Sequence, residues 1–319
     1  MNWTLLDLEL LHFYTSSTSL AFSASLTRQH IWRDLVPQIA FSHHFILHGI
    51  LALAAAHLST KSPERKLSLQ AAATAHHARA LPMFRSALEI LSLENHEACA
   101  IFGVLISIYE WASSVSVVGL FLSSSHDRGA SCEWVSLLRG SGKIIEAHYQ
   151  EIANGPFAQI FSLNLEFEAE ARASPAEASK FDALRLLWKE EVDAGNSTAN
   201  LDVETYDSAV EWLQILYTSM CKSTIDNSLA SLALTWFFRV PDQYLTRLDE
   251  RQPVALVILA HFSLLLNRIP EFWWNKGMSR HLLHEIHDML GEEWVEFLSW
   301  PMQDLVLCEF KQQSGLTKA

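Results

Sequence analysis

HFILHGILALAAAHL, residues 44–58, decides the fold class of this chain. Read at helical spacing it has no polar face, so it predicts a helix buried on every side. It contains histidines and falls short of the ~20 apolar residues a membrane span needs. A second stretch, VALVILAHFSLLL at 254–266, has the same character. Two such helices need many others to cover them. Eleven glycines and nine prolines in 319 residues are few breakers, which favours long helices over strands and turns. The expectation is an all-α fold, a single large domain over residues 1–310 with about ten to twelve helices and a frayed tail at 311–319.

Outward from residue 44, Ser42 is the expected N-cap of helix 43–59. Gln29–Pro37 predicts a short helix stopped by Pro37, and residues 3–20 a helix capped by Thr4 or Asp7. Pro63 suits the first turn of a helix over 64–92, with a kink or junction at the interior Pro82. Further helices are expected at 94–111, 133–152, 178–193, 203–221, 224–239, 252–269 and 278–290, and a last one at 291–299 ends at Trp300-Pro301. Gly140 and Gly142 weaken the middle of 133–152. Residues 112–131, ASSVSVVGLFLSSSHDRGAS, read as a loop or insertion with a short strand as an alternative. Residues 166–180 are acidic, alanine-rich and expected to be exposed.

The net charge of −13 opposes phosphate binding, so nucleic-acid binding by this chain is not expected. Four cysteines, Cys99, Cys132, Cys221 and Cys308, show no CxxC spacing, hence no zinc ribbon and no disulfide framework. The N-terminus carries Asp7 and Glu9 and no basic region, unlike a signal peptide.

Chemical motifs are few. His43, His44 and His48 cluster, as do His281, His284 and His287, but the order at 284–287 is H-E-x-H, not HExxH. No metal or cofactor is expected, and these histidines are read as lining helix surfaces, bonded to backbone or solvent. RGSGK at 139–143 is followed by Ile144, which breaks the phosphate-loop pattern; Ser141 is read as a helix-contact residue. No G-x-S-x-G elbow appears. Eleven tryptophans are many. They pack cores, and they also leave apolar concavities between helices.

Three ordered stretches carry a resemblance. The first holds DLELLHFYTSST (7–18) and WRDLVPQIAFSHHFILHGILALAAAHL (32–58). The second holds WVSLLRGSGKII (134–145) and NGP (154–156). The third holds QPVALVILAHFSLLLNR (252–268), WWNKGMSRHLLHEIHDML (273–290) and a closing Trp294 and Trp300-Pro301. Together they resemble the C-terminal regulatory region of fungal zinc-cluster transcription factors of the sterol uptake control type. That resemblance implies an all-helical domain binding a lipophilic, sterol-like molecule, moving between cytoplasm and nucleus and controlling gene activation. It places the ligand at Leu256, Leu259, Phe262, Leu266, Trp273 and Trp274, with Phe102 and Tyr109 opposite. A homodimer or a partner from the transcription machinery is the further expectation. The family's six-cysteine DNA-binding cluster is not among these residues, and 112–131 departs from the family pattern.

Two other readings stay open. An enzyme, a cyclase or isomerase, would use His261, Tyr109, Glu110 or Asp288 as acid–base groups in the same pocket. A scaffold would have a filled core.

Overall fold

The computed structural model describes residues 3–23, 25–114, 116–122, 133–161, 175–193, 199–222 and 229–313. Among these the regular structure is helical, with thirteen helices of seven residues or more and no strand. The chain divides into two compact units.

The first unit holds residues 1–114, 136–162 and 272–274. Its helices are α1 (Leu5–Phe13), α2 (Val36–Ser42), α3 (His44–Lys61), α4 (Lys66–Glu89), α5 (His96–Ser113) and most of α6 (Glu133–Ala147). The opening stretch is α3, and α1, α2, α4 and α5 all pack on it. Every residue of α3 from Phe45 to His57 is buried, as its lack of a polar face dictates. Thr4 caps α1: its hydroxyl accepts from Asp7 N while its own N–H donates to the Asp7 carboxylate.

The second unit holds residues 115–135, 163–271 and 275–319. Its helices are α7 (Pro175–Asp193), α8 (Ala199–Lys222), α9 (Leu229–Arg239), α10 (Asp242–Asp249), α11 (Pro253–Leu266), α12 (Met278–Leu290) and α13 (Val295–Gln313). Its axis is α11, buried from Val254 to Leu266 and covered by α8, α10, α12 and α13. Pro253 sits in the first turn of α11, where its missing N–H costs nothing.

Several boundaries differ from expectation, mostly at prolines. Pro37 lies inside a helical run from Leu26 to Ser42 that passes through π-helical turns at Ile31–Leu35, so it does not stop the helix. Ser42 ends α2, and α3 starts after His43 with no side-chain cap. Helix α4 runs through Pro82 without a break. Ala78, whose carbonyl Pro82 leaves without its helical partner, is exposed, so the missing bond does not leave a buried orphan. Helix α13 likewise continues through Pro301 to Gln313. In the segment expected to be a loop, residues 116–122 form the helical turn Val118–Leu120. The Glu285 carboxylate caps that turn, accepting from Val118 N and Ser116 Oγ, each at 2.8 Å. Residues 123–131 and 166–174 lie outside the described residues, as does the tail from 314.

Candidate functional site

The eight residues expected at a ligand site fall four into each unit. In the first, Phe102 is buried between Phe45 and Phe84, with ring centroids 5.4 and 4.6 Å away. Gly49 is what lets α3 approach that ring: a Cβ there would stand 3.0 Å from Phe102. Tyr109 stacks on His77 at 4.4 Å, and His77 Nε2 lies 2.9 Å from Glu110. Trp273 stacks on His57 at 4.6 Å, and His57 Nδ1 is 3.1 Å from the Thr18 hydroxyl. Trp274 meets Trp111 edge to face at 6.1 Å.

In the second unit Leu256, Leu259, Phe262 and Leu266 are all buried along α11. Phe262 stacks on Trp236 at 5.2 Å and meets Phe237 edge-on at 4.8 Å, while Phe237 stacks on Phe121 at 5.1 Å. Phe121 belongs to the segment whose composition suggested a loop. Its VVGLFL run buries Val118, Leu120, Phe121 and Leu122, and Phe121 is the ring that joins this cluster. Next to Phe262, the Ser263 hydroxyl is fully buried and has no hydrogen-bond partner among the described residues. Helix hydroxyls usually bond back to a carbonyl, so this one is an unfilled polar position on an apolar helix. Near the end of α11, Leu266, Asn275, Lys276, Ser279, Arg280 and Cys308 border an open cleft of about 70 Å³. That is far below the several hundred Å³ of a drug-sized site.

The residues considered for acid–base chemistry have other partners. His261 is buried, donates from Nδ1 to Val257 O at 2.8 Å, and burial pushes its pKa down to about 4. Asp288 is exposed, beside His284 and His287. Thus His261 and Asp288 do not meet. Glu110 pairs with His77 as described above.

Sequence reasoning missed a buried polar chain in the first unit. His76 Nε2 donates to Asp7 Oδ1 at 3.0 Å, and this fixes the neutral tautomer with His76 Nδ1 as acceptor. His48 Nδ1 then donates to it at 2.9 Å, and Trp3 covers the His48 ring at 5.4 Å. Burial, then neighbouring His76, lowers the His48 pKa to about 4. Burial also lowers that of His76, against the attraction of Asp7. Burial raises the Asp7 carboxyl, but the Thr4 bonds and His76 outweigh it and hold it low. His48 therefore does not line a helix surface as expected: its bond is to another buried histidine. Exposed His44, His281 and His284 do line surfaces. The only signal was that His48 lies inside an all-apolar run. Among the described residues no three metal-ligating side chains converge, and no helix is long and apolar enough to cross a membrane.

An all-helical protein, each of whose two units is built around one helix with no polar face, is the class these elements define. Within it, the chain belongs to the family of the fungal specific transcription factor domain, whose model matches residues 9–179. It is 27% identical over 316 residues, 95% of its length, to a "Zn(2)-C6 fungal-type transcription factor" of Gibberella zeae. It is also 28% identical over 165 residues, 51% of its length, to sterol uptake control protein 2 of Saccharomyces cerevisiae. The Candida albicans protein of the same name is 28% identical over 166 residues, again 51% of this chain. The chain spans 62% of the Gibberella protein and 18% and 22% of the two yeast proteins.

Proposed function

We propose that this chain is a ligand-responsive regulatory region of a fungal transcription factor, acting in the nucleus, and that its effector is a lipophilic, sterol-like molecule. One observation carries the reading: half of the chain is similar to proteins named for sterol uptake control. The buried α11, which has no polar face, agrees with it. Leu256, Leu259, Phe262 and Leu266 are the contacts proposed there, with the buried Ser263 hydroxyl for the ligand's single polar group. Phe102, Tyr109, Trp273 and Trp274 are the contacts proposed in the first unit. Phe262 is already surrounded by rings, so entry on α11 requires those rings to part. The ligand then acts through its different affinity for packed and parted states.

The test is titration with a fluorescent sterol, read by energy transfer from tryptophan and competed by unlabelled sterol. Saturable, competed binding with a raised Tm is expected; at 100 times Kd the stabilisation is about 2.7 kcal/mol. Folded protein that takes up no sterol sinks the reading. Ser263→Ala sharpens it. Removing an unpartnered buried hydroxyl leaves Tm unchanged or raised, while sterol affinity falls several-fold.

A further inference from the structure

Helices α8 and α13 meet at Arg268, two residues beyond the end of α11. Tyr217 and Cys221 lie one turn apart on α8, and Asp304 and Cys308 one turn apart on α13. Each helix therefore presents an oxygen group and then a thiol on one face. Arg268 Nη2 donates to Tyr217 Oη and to Asp304 Oδ1, each at 2.8 Å. Its Nη1 donates to Asp304 Oδ2 at 3.0 Å and Cys308 Sγ at 3.3 Å, and its Nε to Cys221 Sγ at 3.5 Å. Asn267 supports Asp304 Oδ2 at 2.8 Å and accepts the Ser279 hydroxyl. Burial opposes the charge of Arg268, yet the bonds and charge of Asp304 keep it firmly protonated.

An arginine–aspartate clasp needs no sulfur, and thiols are weak acceptors that add little to it. Two sulfurs instead stand on one guanidinium, with the Asp304 carboxylate 3.9 Å from Cys308 Sγ to take its proton. Neither thiol is in a disulfide; Cys221 is exposed and Cys308 is half-buried. Cys99 is fully buried, and burial pushes its pKa up to about 11, which makes it an internal unreactive reference.

We propose that Cys221 and Cys308 are a peroxide-responsive dithiol pair that closes into a disulfide joining α8 to α13. The Cys221 thiolate attacks one oxygen of a hydroperoxide. An S–O bond forms, the O–O bond breaks, and the alkoxide leaves with a proton as the alcohol or, from hydrogen peroxide, as water. Cys308 sulfur then attacks Cys221 sulfur. The S–S bond forms, the S–O bond breaks, and hydroxide leaves with the Cys308 proton as water. Two thiols are oxidised and one hydroperoxide is reduced. Cys221 on Nε and Cys308 on Nη1 flank the guanidinium on opposite edges, so closure requires Arg268 to withdraw from between them and then pins α13 to α8. This inference is independent of the sterol reading.

The test uses the full chain with Cys132→Ser, treated with hydrogen peroxide, and peptide mass spectrometry without reductant. Expected is one intrachain Cys221–Cys308 link that dithiothreitol reverses, with Cys99 still reduced. In Cys308→Ser, dimedone labels Cys221 as the sulfenic acid; in Cys221→Ser, Cys308 stays reduced at the same dose. The proposal is overturned if Cys221 and Cys308 react no faster than Cys99, or if the only links are between chains. The unsubstituted pair decides the matter should either serine variant fail to fold.

Discussion

His261 shows what a single buried ring contributes. Its ordinary pKa of about 6.5 is pushed down to about 4 by burial. Between those values the unfolded chain binds a proton that the folded ring refuses. Stability from this group is therefore complete above pH 6.5 and lost as pH falls through that window. The loss is roughly 3 kcal/mol at its acid end. His48 and His57 are lowered in the same direction. Urea midpoints measured from pH 7 to pH 4 should fall steeply. His261→Phe, which keeps an aromatic ring against Trp300, should flatten the fall without abolishing it. An unchanged slope would mean that His261 titrates normally.

At the scale of elements, the approach of α5 to α6 turns on one glycine. A Cβ on Gly103 would stand 1.9 Å from Ser141 Oγ and 2.6 Å from its Cβ. The Ser141 hydroxyl is tied back to Leu137 O at 2.9 Å, so it has no easy retreat. Gly103→Ala should destabilise the protein by about 1–3 kcal/mol, although alanine is the better helix former. Ser141→Gly removes the obstacle. A double-mutant cycle in thermal unfolding should give a coupling of the order of 1 kcal/mol or more; simple additivity would show that the helices move apart freely. The RGSGK stretch thus serves packing, as the broken phosphate-loop pattern indicated. The partner glycine was illegible in sequence, because nothing local to residue 103 tells which residue crosses it.

Across the whole molecule, charge and burial act differently. A net charge of −13 repels the phosphates of duplex DNA. Fluorescence anisotropy with labelled duplex at about 150 mM salt should show no binding by this chain; a salt-sensitive rise would refute that. The all-helical class was legible because α3 and α11 have no polar face, and a helix without one has few environments open to it. Composition misled at 116–122, where serines suggested a loop and the apolar residues between them turned out to pack with Phe237. Proline rules misled at Pro82 and Pro301, because a helix absorbs one missing N–H where the freed carbonyl, at Ala78 or Phe297, belongs to a residue that is not buried. Periodicity and breakers act over a few residues, so the sequence by itself determined that the chain is helical and which helices are enclosed. Only tertiary structure decided that Asp7, His48 and His76 form one chain and that Arg268 gathers two cysteines. Those groups come from helices far apart in sequence, and their pairing depends on contacts that no local pattern encodes.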